Sequence, residues 1–254
     1  MPATHPRDRG GWRVLPGRVL DLLYPPICAL CEEGLRDGRS VCDRCDGDLP
    51  RLASPFWDSC GEPFPGNIDG PFACPNCSRL KFAFEFARPA MVRDDRTLEI
   101  IHRLKYGRQL HLAAELGRLA STAFNDPRLA TALAEKWPLV PVPLHRKRLQ
   151  LRHFNQAAEI ARELSNWTGL PVLDALARER STEHQTALTR AQRLENLRGA
   201  FAITRAGQLH LAGKAPGAVL VDDVLTTGST VDECAKTLRR AGFPRVQVVT
   251  VMRG

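Results

Sequence analysis

Two adjacent carboxylates, Asp222 and Asp223, directly follow an apolar run in the stretch AVLVDDVLTTGSTVDE, residues 218–233. A glycine within a string of hydroxylated residues comes next: Thr226, Thr227, Gly228, Ser229 and Thr230. An apolar strand that passes through a tight loop into a helix is typical of phosphate binding, because backbone N–H groups and the helix dipole point at the anion. Glycine allows a close approach of the backbone. The stretch therefore predicts a phosphate loop at residues 226–230.

The acidic pair predicts a second part of the same site. Two carboxylates can accept hydrogen bonds from neighbouring hydroxyls of a phosphorylated sugar, and they can help to hold a Mg²⁺ ion that screens a pyrophosphate. The stretch lacks the Gly-Lys-Ser/Thr of a Walker loop. A strand followed by an Asp turn and a helix cap, without any ligand, is the alternative interpretation.

Seven of the eight cysteines lie between residues 28 and 77. In a reducing compartment such clustering indicates a metal site rather than disulfides. Two CxxC pairs separated by ten residues, each able to point two thiolates at one ion, predict a structural zinc site with four ligands. These ligands, called the first cysteine group below, are Cys28, Cys31, Cys42 and Cys45.

Three further cysteines, called the second cysteine group below, are Cys60, Cys74 and Cys77. A complete second ribbon needs another cysteine at position 57, but that residue is Trp57. A second zinc with water or Asp58 as its fourth ligand, and no metal at all, are the open alternatives. The eighth cysteine, Cys234, falls on the apolar face of a predicted helix and is expected to be a core residue.

Basic residues are concentrated in the stretch PVPLHRKRLQLRHFNQ, between a predicted strand and a predicted helix. Four cations within seven residues can neutralise a polyanion: Arg146, Lys147, Arg148 and Arg152. A solvated loop is the alternative. Lys105, in LKYG, is a candidate for another phosphate contact, although a lysine near a helix C-terminus also complements the helix dipole.

Short apolar runs alternate with helical patterns from about residue 90 onwards, which predicts an α/β domain with a mostly parallel sheet. The runs are LVPVP, AVLV and RVQVVTVM, and the helical patterns include RTLEIIHRLKYG, FNQAAEIARELSNWTG and TVDECAKTLRRAG. The preceding region is rich in Cys, Pro and Gly. These patterns predict a cysteine-rich module at residues 20–85 and an α/β domain at residues 90–254.

The chain has 254 residues, with 36 Lys and Arg against 28 Asp and Glu, and therefore a net charge of +8. This balance favours an anionic partner, either a phosphorylated ligand or nucleic acid. The sequence contains no apolar run of membrane-spanning length, and its basic N-terminus is broken by proline, glycine and charges, so a cytoplasmic location is expected.

The stretch VLVDDVLTTGST resembles the phosphoribosyl pyrophosphate (PRPP) motif of type I phosphoribosyltransferases. Nearly the whole chain from about residue 20 is similar to one branch of that superfamily, the ComF family of competence-associated proteins. The similarity includes LLYPPIC, LKYG, PVPLHRKRLQLRHFNQA and QTALTRAQRLENLRGAF. The chain differs from the family at two positions. His153 replaces the glycine of the family form Arg-Gly-Phe-Asn-Gln, and the Cys expected at position 57 is missing.

The resemblance implies a type I phosphoribosyltransferase-like sheet flanked by helices, preceded by a zinc-ribbon module. It implies that Asp222 and Asp223 hold ribose hydroxyls, that residues 226–230 hold the 5′-phosphate, and that the basic segment meets the pyrophosphate. A mobile flap is implied for QTALTRAQRLENLRGAF, with candidate residues Gln185, Arg193 and Asn196.

The resemblance implies PRPP or a similar phosphosugar as ligand, Mg²⁺ and Zn²⁺ as ions, and single-stranded DNA and DNA-uptake proteins as partners in natural transformation. An active transferase of nucleotide salvage type, with an unknown acceptor, is a second hypothesis. No general base is evident in the sequence, and whether the chain is an enzyme stays open. A DNA-binding or scaffold protein with a vestigial site is the third hypothesis.

Overall fold

The computed structural model of the chain describes residues 26–35, 38–66, 74–77, 80–180, 196–213 and 216–254. The chain forms two compact units, Met1–Asp48 and Leu49–Gly254. The second cysteine group therefore belongs to the same unit as the sheet. The sequence-based domain boundary between residues 85 and 90 stays a prediction. Within the described ranges, no helix has both the length and the apolar character needed to cross a bilayer.

The first unit is built around the first cysteine group. Its one-and-a-half-turn helix α1, Asp43–Gly47, begins after Cys42, whose side chain caps it by accepting from the N–H of Cys45. An antiparallel bridge joins Ile27 to Gly34, on either side of the first CxxC pair.

The second unit contains a four-stranded sheet in which all neighbouring strands are parallel. The strand order is β1–β6–β5–β2, where β1 is Ala87–Met91, β2 is Leu139–Pro141, β5 is Ala218–Leu225 and β6 is Val246–Arg253. Strands β5 and β6 are apolar along most of their length because parallel strands are covered on both faces. The prediction of an α/β domain with a parallel sheet is confirmed.

Helices cover this sheet. In chain order they are α2 Asp95–Gly107, α3 Leu112–Ser121, α4 Ala130–Ala134, α5 Arg146–Arg152, α6 Gln156–Thr168, α7 Arg205–Ala212 and α8 Ser229–Ala241. Single 3₁₀ turns, Thr122–Asn125 and Pro127–Leu129, lie between α3 and α4. Helices α3 and α6 approach closely at Gly117, where an added Cβ would lie 2.4 Å from the Cβ of Glu163.

A separate two-stranded antiparallel sheet is formed by β3, Leu176–Arg178, and β4, Phe201–Ile203. A parallel bridge joins Arg178 of β3 to His145, the residue that caps helix α5. The small sheet therefore places Arg178 beside the basic segment.

Three features differ in detail from the expectations. Strand β5 continues through both aspartates to Leu225, so the acidic pair lies inside the strand. The basic segment forms a helix, α5, rather than a loop. Strand β1, Ala87–Met91, overlaps the predicted domain boundary between residues 85 and 90.

Candidate functional site

The acidic pair lies at the carboxyl end of β5, next to the sheet's centre. Asp223 is 4% exposed, whereas Asp222 is partly buried and accepts a hydrogen bond from the backbone N–H of Asp223 at 2.9 Å. In open parallel sheets, ligands bind at the carboxyl ends of the strands. The two carboxylates therefore occupy the position where such sheets bind their ligands.

The predicted phosphate loop connects β5 to helix α8. Gly228 has φ +77° and directly precedes the helix, a conformation that glycine adopts readily. The hydroxyls of Thr227 and Ser229 lie 2.9 Å apart, and the N–H of Ser229 donates to Thr227 Oγ1 at 3.4 Å. The loop, together with the first turn of the 13-residue helix α8, has the geometry of an anion-binding terminus.

Three predicted cations line the same cavity as the acidic pair. Lys105, in the last turn of α2, forms an ion pair with Asp223. Arg148 and Arg152 lie on α5, and Arg152 donates to Gln156 at 2.6 Å while its guanidinium lies 5.3 Å from the ring centroid of Tyr106. Arg148 has no ion pair with any described residue.

These groups share one cavity of about 650 Å³. The charged and hydroxylated residues that line it are Lys105, Tyr106, Arg108, Arg148, Arg152, Arg178, Asp222, Asp223, Thr226 and Thr230. Five cations and two carboxylates line the cavity, so its lining has an excess of positive charge. Such a cavity attracts an anionic ligand.

Arg178 was not predicted. Its guanidinium lies 5.5 Å from the ring centroid of Phe201, and it reaches the cavity from the small sheet rather than from the main one. It lies in the short strand β3, within the letters LARER, and no sequence signal marks it as a site residue. The parallel bridge between Arg178 and His145 brings it beside the basic segment.

Burial is the main cause that raises the pKa of Asp222 well above its ordinary value, and the negative charge of Asp223 adds to it. Burial acts in the same direction on Asp223, but the ammonium of Lys105 outweighs it and lowers the pKa of that carboxyl. Burial also lowers the pKa of Arg148, as does the neighbouring charge of Arg152. The cavity therefore holds one carboxylate that resists ionisation beside one that favours it.

Five other predicted residues either lie outside the described residues or do not line the cavity. Gln185 and Arg193 lie outside the described residues. Asn196 is described but does not line the cavity. Arg146 and Lys147, at the start of α5, are exposed and also do not line it.

The first cysteine group brings four sulfurs within 4.8 Å of one another. The Sγ atoms of Cys31 and Cys42 are 3.7 Å apart, and tetrahedral zinc–thiolate bonds of 2.3 Å require about 3.8 Å. Burial opposes ionisation of Cys28, but backbone N–H donors, led by Cys42, lower its pKa to about 6. Four ligands at this spacing fit a structural zinc ion with no open position.

The second cysteine group also brings its three sulfurs within 4.8 Å of one another, with 3.6 Å between the Sγ atoms of Cys60 and Cys74. Burial is the main cause that raises the pKa of Cys60 to about 12, and Cys77 adds to it. A bound zinc ion would remove the proton outright. Asp58 is not part of the group, because its exposed carboxylate faces Arg128 at 3.4 Å. Trp57 packs against the cysteines.

A family model described as a double zinc ribbon domain matches residues 19–78, which contain both cysteine groups. The chain is similar to the DNA utilization protein YhgH of Escherichia coli K12, with 32% identity over 228 residues, which cover 89% of this chain and 90% of that protein. YhgH of Salmonella typhimurium is 31% identical over 236 residues, which cover 92% of this chain and 93% of that protein.

Competence protein F of Haemophilus influenzae is 33% identical over 150 residues, which cover 59% of this chain and 64% of that protein. Among solved structures, an allosteric regulatory enzyme of purine biosynthesis gives a TM-score of 0.30 at 18% identity, over 55% of this chain and 26% of that one. A likeness at that level carries no argument about fold or activity.

The fold and the site define a protein of two parts, an N-terminal zinc-ribbon module and an α/β domain with a cavity at the carboxyl ends of its parallel strands. The chain belongs to the ComF family of competence-associated proteins, as the resemblance in its motifs implied.

Proposed function

We propose that the chain binds PRPP or a closely related phosphosugar together with Mg²⁺, and that it uses this site while handling incoming single-stranded DNA in the cytoplasm. The observation that carries the proposal is the meeting of the acidic pair, the phosphate loop and several cations in one cavity of about 650 Å³. A sugar with phosphate groups at both ends matches all three sets of groups.

Each part of the cavity has a separate task in this proposal. Asp222 and Asp223 accept hydrogen bonds from the ribose hydroxyls, and the backbone of residues 226–230 binds the 5′-phosphate. Arg148 and Arg152 face the pyrophosphate, whose charge Mg²⁺ screens when it is bound. The ammonium of Lys105 also contacts a phosphate of the ligand, and its ion pair with Asp223 becomes weaker.

The role in DNA handling is supported by the names of two relatives, a DNA utilization protein and a competence protein. The net charge of +8 supports a polyanionic partner. Arg146 and Lys147 are exposed outside the cavity, which leaves them accessible to a second anion while a phosphosugar is bound.

A thermal-shift experiment tests the phosphosugar site. PRPP with Mg²⁺ at about 100 times its dissociation constant would stabilise the folded state by about 2.7 kcal/mol. The double substitution Asp222→Asn with Asp223→Asn removes that stabilisation. Asp174→Asn, an exposed aspartate outside the cavity, is the matched control and retains it. Equal stabilisation of all three proteins by PRPP would overturn the assignment of the site.

A further inference from the structure

Contacts from the second cysteine group reach the phosphate loop from outside the cavity. We propose that this group, when it holds a metal ion, positions the phosphate loop through Phe82 and through the ion pair of Glu62 with Arg253. The proposal rests on the proposed function only in naming the ligand of the loop. The order of the loop itself can be measured without any ligand.

Phe82 makes the first contact. Its side chain packs against the three cysteines of the second group and also against the main core. A Cβ added to Gly228 would lie 3.4 Å from Phe82 Cε1, so the ring lies directly against the glycine of the loop. The ring stacks on Phe84, with centroids 4.5 Å apart and planes inclined by 16°. Phe82 therefore lies between the cysteines and the tightest turn of the loop.

Arg253 makes the second contact. It is 8% exposed at the end of β6, and its Nη1 donates to the carbonyl oxygens of Leu225 and Thr226, each at 2.6 Å. Its Nη2 forms an ion pair with Glu62, which follows Cys60 by two residues. The planar guanidinium is held in this orientation by the carboxylate. Arg253 thus fixes the point where strand β5 ends and the phosphate loop begins.

The segment after the second group is fastened to the other end of the loop. The backbone N–H of Ala83 donates to Asp232 Oδ1 at 2.7 Å, and the N–H of Asp232 donates to the carbonyl oxygen of Gly228 at 2.9 Å. Asp232 is 3% exposed in the first turn of α8. Both ends of the loop are therefore attached to segments that flank the cysteines.

The cysteine segment is in turn attached to the sheet. An added Cβ at Gly61, which has φ +64°, would lie 2.4 Å from Pro89 Cδ in β1, and the N–H of Ala87 donates to the carbonyl oxygen of Ser59 at 3.1 Å. Small segments of this kind depend on a bound ion for their fold, because they bury little apolar surface of their own. Loss of the ion would release both Phe82 and Glu62.

Metal binding at the cysteines and ligand binding at the loop are then linked, and the linkage is reciprocal. If the ion strengthens PRPP binding by a given factor, PRPP with Mg²⁺ strengthens retention of the ion by the same factor. PRPP should therefore slow the release of zinc from the second group to a chelator.

Hydrogen–deuterium exchange of the backbone amides in residues 225–233 tests the proposal on the full zinc-loaded chain. We expect Glu62→Gln and Phe82→Leu, which keep the cysteines, and Cys77→Ser, which removes a ligand, to raise exchange in these residues by roughly fivefold or more. Glu99→Gln breaks an exposed ion pair with Arg103 elsewhere and is the matched control, with exchange as in the wild type. The three variants should also weaken PRPP binding.

Two outcomes overturn the proposal. Loop exchange as in the wild type in Glu62→Gln and Phe82→Leu would exclude these two contacts as the route, and loop exchange as in the wild type in Cys77→Ser would exclude a role of the metal ion. Failure of the wild type to bind PRPP, with loop exchange still raised in the variants, removes the proposed function and leaves the positioning role standing. If Cys77→Ser does not fold, the wild-type chain treated with a zinc chelator replaces it in this comparison.

Discussion

Lys105 forms an ion pair with Asp223 in the cavity, with the two side chains 17% and 6% exposed. The pair joins helix α2 to strand β5 at the site where the ligand is proposed to bind. Asp222, its neighbour, instead accepts the N–H of Asp223. Two adjacent carboxylates of the same motif therefore have different surroundings, and their removal should have different effects.

Asp223→Asn should destabilise the ligand-free protein by on the order of 3 kcal/mol, because it leaves the ammonium of Lys105 largely buried without its counter-ion. Urea denaturation without ligand measures the change in the free energy of unfolding. Asp222→Asn is the matched control and should cost far less, since burial favours the neutral form of this carboxyl and the amide replaces a neutral group. Equal destabilisation by the two substitutions would contradict the account.

The stability contributed by Asp222 should depend on pH. Burial raises its folded-state pKa above the unfolded value, so its favourable contribution is fully present below the unfolded pKa and is lost as the pH rises through the folded pKa. The wild type should therefore lose stability relative to Asp222→Asn as the pH rises from about 4 towards neutrality. Denaturation of both proteins at several pH values measures this difference, and a constant difference would show that the carboxyl is not perturbed.

Metal analysis should return two zinc ions per chain, one for each cysteine group. Cys45→Ser should remove one ion and unfold the first unit, while the melting of the sheet domain persists because its core is separate. Cys77→Ser should remove the other ion and leave the first in place. Protein prepared without chelators that contains no zinc would contradict both site assignments.

His153→Gly should stabilise the protein by about 1 kcal/mol, because position 153 lies in the left-handed region where a side chain is strained. His153 has φ +67° at the C-terminal cap of α5, where the N–H of His153 donates to the carbonyl oxygen of Leu149 at 2.6 Å. The glycine that the family form carries here is therefore the residue suited to the observed backbone. A lower melting temperature for His153→Gly would indicate that the imidazole makes a stabilising contact.

Affinity for single-stranded DNA should fall with salt, with a slope of log K against log[salt] of about −0.7 for each phosphate neutralised. Arg146→Ala with Lys147→Ala should reduce the steepness of that slope by one to two such increments, or about 0.7 to 1.4. The double substitution should weaken binding to DNA of every sequence by the same factor. Fluorescence anisotropy at several salt concentrations measures it. Arg205→Ala with Arg240→Ala removes the same charge from other exposed positions and is the control. Absence of binding at low salt would remove a direct DNA role.

The sheet could be predicted in large part from the sequence because its strands are apolar runs bounded by glycine and proline. Strand β1 could not, since the letters ARPAM contain a proline and an arginine and read as a linker. Strand β1 is at one end of the strand order and pairs with only one strand of the sheet. Proline, which has no backbone N–H to donate, is tolerated in such an edge strand.

The acidic pair, the phosphate loop and both cysteine groups could be located from spacing alone, because each is contiguous or follows a short repeat. Arg178 and Arg253 could not, since each reaches its partners only through tertiary structure. Arg178 depends on a bridge to His145, and Arg253 depends on the register that brings the end of β6 beside Leu225. Such contacts leave no pattern in the local sequence.

Isothermal titration calorimetry of PRPP on the purified chain, with Mg²⁺ and then with a chelator of Mg²⁺ that leaves zinc bound, tests the central claim most directly. Ribose 5-phosphate and pyrophosphate, titrated separately, report on the two halves of the cavity. The account predicts Mg²⁺-dependent binding of PRPP that is tighter than the binding of either part and is lost in Asp222→Asn with Asp223→Asn. No binding of PRPP in the presence of Mg²⁺, or binding that the double substitution leaves unchanged, would contradict it.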